Sequence, residues 1–145
     1  MDGGVTLHTG ASDIGQGSDT MAAQCVAEVL GLSMDYVHVK AVDSDLSPID
    51  LGSYSSRVTF MNGNAALMAA REVKQKLREA VAEKLDCPVK KVIVSRGALC
   101  RIDDSSQSVT VTQAIQLAEA KFGTLDFDCK GGRREKRYYR LEWGV

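Results

Sequence analysis

Two stretches of the chain carry side chains whose types and spacing could hold a ligand. The first is Gly10-Ala11-Ser12-Asp13-Ile14-Gly15-Gln16-Gly17. Its glycines let backbone N–H groups come close to a bound group, and a helix starting just beyond would add partial positive charge, so the combination favours anions. Gln16 adds an amide that both donates and accepts. The string is neither a dinucleotide fingerprint nor a Walker loop: no lysine stands at its helix end, and no acid after the next strand can be assigned to a ribose. Taken alone, it reads as a ligand loop or as a merely tight turn. The second stretch is Leu51-Gly52-Ser53-Tyr54-Ser55-Ser56-Arg57-Val58-Thr59-Phe60-Met61-Asn62-Gly63. Ser53, Ser55, Ser56 and Thr59 lie just ahead of an alanine-rich segment, and small hydroxyls can satisfy a polar cofactor without bulk or net charge. An ordinary capping loop with Arg57 exposed fits the same residues.

The elements that must position these loops follow from periodicity. Val5-Thr6-Leu7-His8-Thr9 alternates and is rich in β-branched residues, which predicts a strand almost at the first residue. After the glycine loop, Ser18 or Asp19 can cap a helix that runs to Leu30, with Met21, Cys25 and Val29 on one face and Gly31 as its stop. Tyr36 to Val42 predicts a second strand. Residues 43–62 are polar and turn-rich, interrupted by Pro48 and Gly52, and a long helix follows over about residues 64–85, with residues from 56 onward open to helix as well. Pro88 introduces a strand over residues 89–95, Gly97 turns into another over 98–102, and Val109-Thr110-Val111 forms a third. Thr112 can cap a last helix ending before Gly123. The strand–helix alternation with hairpin additions predicts an α/β domain with a mixed sheet and packed helices.

Bulk properties set limits on this domain. At 145 residues with 44% hydrophobic content, the chain can bury a core and is not globally disordered. The formal net charge of -1 hides an asymmetry: residues 1–63 hold two basic and eight acidic side chains, residues 64–145 sixteen and eleven. The basic excess gathers in Lys130-Gly131-Gly132-Arg133-Arg134-Glu135-Lys136-Arg137-Tyr138-Tyr139-Arg140. Basic residues interleaved with tyrosines suit nucleic acid, but a solvated extension or a contact surface suits them better, because no second basic face accompanies them. We therefore divide the chain into a domain over residues 1–128 and a basic, tyrosine-rich tail over 129–145. Cys25, Cys87, Cys100 and Cys129 are too dispersed for a zinc pattern with His8 and His38, and read as buried free thiols of a reducing, cytoplasmic compartment. No apolar run approaches a membrane span, and no leader pattern opens the chain.

Gly10 to Thr20, read with Gly15-Gln16-Gly17 at its centre, resembles the glycine–glutamine–glycine signature of the xanthine dehydrogenase and aldehyde oxidase family of molybdenum hydroxylases. Some thirty residues on, Asp43-Ser44-Asp45-Leu46-Ser47-Pro48, Gly52-Ser53-Tyr54-Ser55-Ser56-Arg57 and Asn62-Gly63 resemble that family's second cofactor loop. The flavour is that of the branch containing 4-hydroxybenzoyl-CoA reductase and carbon monoxide dehydrogenase. Each motif alone is modest; the ordered pair, joined by a helix and a strand, is specific. The resemblance extends over roughly residues 5–125 and leaves out the basic ending.

The resemblance implies a molybdopterin-binding segment of a molybdenum-dependent oxidoreductase, a hydroxylase or an aryl-CoA reductase. It places Gln16 as the leading polar contact to the pterin and molybdenum ligands, with Ile14, Gly15 and Gly17 beside it. Ser53, Ser55 and Ser56 fall around the pterin and its phosphate. Arg57 stands near the nucleotide portion or braces its loop, and Val58 takes a position where many relatives have serine. The cofactor implied is molybdenum-molybdopterin, in bacterial relatives as the cytosine dinucleotide, with iron–sulfur clusters and FAD on partner subunits or other domains. The family's catalytic glutamate follows a glycine-rich motif that does not occur here, so none of Glu28, Glu72 or Glu142 takes that role. No catalytic residue and no side-chain metal ligand is assigned. The chain then reads as part of a longer subunit, inactive by itself; a structural or interaction domain, or weak nucleic-acid binding through the tail, are the competing readings.

Overall fold

Val5–Thr9 forms β1, and almost every one of its residues is buried rather than every second one. The cause is its position: β1 is an inner strand of a four-stranded sheet of order β2-β1-β7-β6. The computed structural model describes residues 4–41, 43, 45, 47, 49–95, 97–123, 127–130 and 137–143, the last two segments by backbone alone. Val42, Ser44, Leu46, Pro48 and the basic residues of 131–136, all invoked above, lie outside the described residues.

β2 (Val37–Ala41) pairs parallel to β1, with Val5 opposite Val37 and Thr9 opposite Ala41. It lies at the sheet edge, and its burial alternates as side chains point to opposite faces, with His38 and Lys40 exposed. The crossover between these parallel strands is helix α1 (Ser18–Leu30), as parallel pairing requires. β7 (Arg137–Trp143) pairs antiparallel to β1, and β6 (Phe127–Lys130) pairs antiparallel to β7. The sheet is therefore mixed, as the alternation of elements predicts. The boundary drawn after residue 128 falls inside β6, and backbone pairing ties Arg137–Trp143 into the sheet of the domain.

The long helix α2 spans Arg57–Lys84 and begins at the earlier of the two starts open to it. At 28 residues it is about 42 Å long, and it packs on α1, on α3 (Val111–Phe122) and across β6 and β7. Its inward stripe is mostly alanine: Ala65, Ala66, Ala69 and Ala70 are buried beside Val73, Leu77 and Val81. Against it α1 sets Ala22, Ala23 and Ala27. Small residues on both helices allow close approach, and Gly63 marks its limit, since a Cβ there would stand 3.3 Å from Met21 Sδ. The larger side chains, Val26, Leu30, Val73, Leu77 and Val81, supply the bulk of the burial, roughly 1.5–3 kcal/mol each.

The far half of α2 carries a second sheet of order β3-β4-β5, made of β3 (Val92–Ser95), β4 (Ala98–Arg101) and β5 (Ser108–Thr110). Arg78 of α2 fastens it, donating from Nε to Val92 O at 2.8 Å and from its terminal nitrogen to Val89 O at 2.9 Å. Lys74 closes the carboxyl end of α1 by donating to Val29 O at 2.7 Å.

Four local expectations are corrected. The strand expected over 89–95 is a 3₁₀ turn at Val89–Lys91 followed by β3, because Pro88 starts a turn more readily than a ladder. The second strand begins at Val37, after a 3₁₀ turn at Met34–Tyr36 that Ser33 caps. Helix α3 is capped by Thr110, not Thr112: the Thr110 hydroxyl accepts from Gln113 N while the Gln113 side chain accepts from Thr110 N, a reciprocal capping box. And α1 has neither Ser18 nor Asp19 as its cap. Cys25, Cys87 and Cys100 are free thiols, of which Cys100 is buried and the other two half-buried.

Candidate ligand-binding site at the junction of two loops

The residue before α1 is Gly17, in the left-handed region at φ 76°, with no side-chain cap of its own. The cap comes from four residues earlier. Asp13 Oδ1 accepts from Gly15 N at 2.8 Å and from Gly17 N at 3.3 Å, and its Oδ2 accepts from Asp19 N at 3.4 Å. The first of these bonds is an Asx turn, which asks for glycine two residues on because Gly15 sits at φ 100°. The ring of N–H groups that suits an external anion is thus already filled by the chain's own carboxylate. Donation from these backbone groups, Gly15 first, holds the Asp13 carboxyl below its ordinary 3.8.

Gln16 stands between the two glycines. Its Oε1 accepts from Ile14 N at 2.6 Å, which fixes which end of the amide is oxygen. Nε2 then faces three acceptors: Ser12 O at 3.1 Å, Ser18 Oγ at 3.2 Å and Ser53 Oγ at 3.3 Å. An amide nitrogen has two hydrogens, so these acceptors compete, and the longest bond reaches across to the second loop. Ser53 also donates to Ser12 O at 3.3 Å. Residues 37 and 41 positions apart are joined here.

The second loop repeats the device with different residues. Asp50 Oδ1 accepts from Gly52 N at 2.7 Å, and Gly52, like Gly15, has φ 100°. Arg57 then folds back over the turn, donating to Gly52 O at 2.7 Å and pairing with Asp50 Oδ1 at 3.3 Å. Its guanidinium also lies 5.3 Å from the centre of the Tyr54 ring. Arg57 is therefore a brace of its own loop. Ser55 and Ser56 hold the left-handed region at φ 50° and 52° and are exposed, Ser56 directly preceding α2 without capping it. Val58 is buried in the first turn of α2 and offers the junction no polar atom.

Of the residues singled out by sequence, the structure joins Gln16 directly to Ser53 and leaves Ile14, Ser55 and Ser56 exposed. Arg57 is paired with Asp50, whereas Asp13 is exposed and keeps its negative charge while accepting neutral backbone N–H groups. A Cβ on Gly15, Gly17 or Gly52 would meet nothing within 4 Å, so the loops face open space. Among the described residues, Asp19 Oδ1 and both polar side-chain atoms of Asn62 are buried with no hydrogen-bond partner. Burial, and then the Asp13 charge, raise the Asp19 carboxyl above 3.8. Asp13 and Asp50 were missed as site residues by sequence reasoning. Their shared signal was legible as Asp-x-Gly, at Asp13-Ile14-Gly15 and Asp50-Leu51-Gly52.

The model of the molybdopterin cofactor-binding domain family matches residues 1–143. The gamma subunit of the 6-hydroxypseudooxynicotine dehydrogenase complex of Paenarthrobacter nicotinovorans is 34% identical over 89% of this chain and 16% of its own length. The carbon monoxide dehydrogenase large chain of Afipia carboxidovorans is 36% identical over 58% of this chain and 10% of its own. Quinoline 2-oxidoreductase from Pseudomonas putida 86 has the same fold, with a TM-score of 0.71 at 20% identity, over 97% of this chain and 17% of that one. The chain spans about one tenth to one sixth of the length of these relatives.

Proposed function

Because the chain belongs to the molybdopterin cofactor-binding domain family of molybdenum oxidoreductases, we propose that the Gln16–Ser53 junction is where it holds the molybdenum-molybdopterin group. The observation that carries this reading is the direct bond between the two loops, Gln16 Nε2 to Ser53 Oγ. The residues fit such a group. A polar cofactor wants small neutral donors and acceptors close to backbone, and the junction offers an amide, exposed serine hydroxyls and open glycine faces. In this reading Gln16 makes the leading contact. Its three acceptors compete for two hydrogens, so a ligand acceptor can take one without leaving the amide short of a partner. Ile14, Gly15 and Gly17 form the surface beside it, Ser53, Ser55 and Ser56 supply hydroxyls, Arg57 keeps the serine loop in shape, and Val58 anchors that loop in the core.

The bound group supplies the redox chemistry at molybdenum; the chain's residues position and electrostatically tune it. The catalytic glutamate and most pocket walls then belong to other segments of a longer subunit. Iron–sulfur clusters and flavin belong to partner subunits or other domains, and the cofactor takes the cytosine dinucleotide form. The overall reaction is a hydroxylation or, on the aryl-CoA branch, a reductive dehydroxylation. Among the described residues no helix is long and apolar enough to cross a membrane.

The test is Gln16→Ala in the assembled native protein, with molybdenum and pterin measured per polypeptide. Loss of one hydrogen bond of about 1.4 kcal/mol lowers affinity about tenfold, so cofactor content falls on dilution and dialysis. Wild-type content and retention would overturn the assignment of Gln16.

A further inference from the structure

We propose that Asp13 is the positioning residue for Gln16: its carboxylate locks the two glycines that flank the glutamine, and so aims the amide at the serine loop. The inference rests on the reading of Gln16 as a cofactor contact, but its structural half stands apart from any cofactor.

Gly15 and Gly17 both take positive φ, 100° and 76°, where glycine has many alternatives of similar energy. A Cβ at either position would meet only open space, so no side-chain contact could steady them. A glutamine held between two such residues has no fixed direction unless something else restrains their backbone. The bonds that Gln16 makes to Ile14 N and Ser12 O are internal to the same loop, while Gln16 Nε2 to Ser18 Oγ and Met21 N to Gly17 O each tie one point of it to α1. Asp13 holds both glycines at once. A single oxygen, Oδ1, receives the N–H groups of both Gly15 and Gly17, and Oδ2 receives that of Asp19, which lies within α1. The carboxylate therefore ties the glutamine's two neighbours to the first turn of a helix packed in the core. With the backbone fixed, Gln16 Oε1 meets Ile14 N and Nε2 is left pointing at Ser18 and Ser53.

The chemistry asks for an acceptor at this place more than for a charge. Asparagine offers one oxygen in the position of Oδ1 and can keep both glycine bonds. Glutamate keeps the charge but carries it one methylene farther from those N–H groups. Alanine removes the acceptor.

The experiment uses the full chain, isotope-labelled, without cofactor. It reads cross-relaxation between the Gln16 side-chain amide hydrogens and Ser53, together with the Gln16 side-chain order parameter; the amides of Val26 and Ala27 in α1 report that the fold persists. Wild type and Asp13→Asn are expected to show the Gln16–Ser53 contact. Asp13→Ala is expected to lose it, with the order parameter falling below about 0.6, the flexible range. In Gln16→Ala the Gly15 and Gly17 amide shifts are expected to stay near wild type, since the order runs from Asp13 to Gln16. If the alanine variant does not fold, Asp13→Asn against Asp13→Glu decides: asparagine must hold the contact better. Retention of the contact in Asp13→Ala, or glutamate outperforming asparagine, overturns the proposal. Unchanged cofactor retention in Gln16→Ala would instead overturn the functional reading and leave this result standing.

Discussion

The glycine loop and the serine loop are two solutions to one problem. Each leads into the amino end of a helix, each turns on Asp-x-Gly with the glycine at φ 100°, and each puts a left-handed residue immediately before the helix. They differ in what the aspartate does next. Asp13 gathers further N–H groups and needs no cation, whereas Asp50 turns to Arg57. They differ also in who bears the left-handed backbone: Gly17 in one loop, Ser55 and Ser56 in the other. The glycine loop is thus held by many neutral donors at low conformational cost. The serine loop is held by one buried ion pair and carries strain, since left-handed geometry costs a non-glycine residue roughly 1–2 kcal/mol. What the second loop gains is hydroxyls at positions where the first has only hydrogen atoms.

The sharpest way to break this contrast is to remove the cation. Asp50 is 4% exposed on its side chain and Arg57 12%, so Arg57→Ala leaves a carboxylate buried without its partner. That loss is expected to cost about 3 kcal/mol of folding stability, at the lower end for a broken buried pair. Urea unfolding of the two chains measures it. Combining Arg57→Ala with Asp50→Asn is expected to restore part of the loss, because the uncompensated charge is gone. A single variant within 0.5 kcal/mol of wild type, as a rough threshold, would mean that the serine loop stands without its pair.

The next contrast is conformational, and the two loops should answer with opposite signs. Gly17→Ala meets no steric neighbour, so its whole cost is the left-handed φ of 76°, about 1–2 kcal/mol. Ser56→Gly relieves the same strain at φ 52° and loses part of the gain to the freer unfolded chain, for a net stabilisation of about 0.5 kcal/mol. Thermal unfolding of both variants beside wild type reads the signs. A destabilised Ser56→Gly would show that the serine hydroxyl, not only its backbone, holds the loop.

These differences explain what could be read from sequence. Gly31 as the stop of α1 was legible because a glycine after an apolar face has one common use, and here it is doubly required: φ is 66°, and a Cβ would stand 2.7 Å from Val94 Cγ1. The mixed sheet was legible from strand–helix alternation. The cap of α1 was not, because a cap search looks one residue ahead of the helix and Asp13 acts from farther out. The cap of α3 could have been found: Thr110-Val111-Thr112-Gln113 is a capping-box pattern, hidden because Val109-Thr110-Val111 also alternates like a strand. β7 was hidden by composition, since Arg137-Tyr138-Tyr139-Arg140 carries its basic and aromatic character more visibly than its period. At the junction, small hydroxyls and glycines named the loops, but the Gln16–Ser53 bond joins residues 37 apart and depends on how α1, β2 and the turn between them pack. Local pattern holds no record of that.

The smallest expected effect separates two carboxyls inside the glycine loop. Backbone donation lowers the Asp13 value in the folded chain, so what it contributes to stability is present above pH 3.8 and is lost as pH falls through that lower value. Asp19 runs the other way. Burial and the neighbouring Asp13 charge raise its folded value, so its charged form opposes folding at neutral pH, and that penalty fades as pH falls through the raised value toward 3.8. Asp13→Asn is therefore expected to destabilise the chain at pH 7, and Asp19→Asn to stabilise it. Both differences from wild type should shrink in acid, that of Asp19→Asn as pH approaches 3.8 from above and that of Asp13→Asn only below 3.8. Urea midpoints at pH 7, 5 and 3 measure the pair. If Asp19→Asn destabilises at pH 7, then the buried Asp19 Oδ1 has a partner in solution, and the glycine loop is no longer the one held without an ion pair or its equivalent.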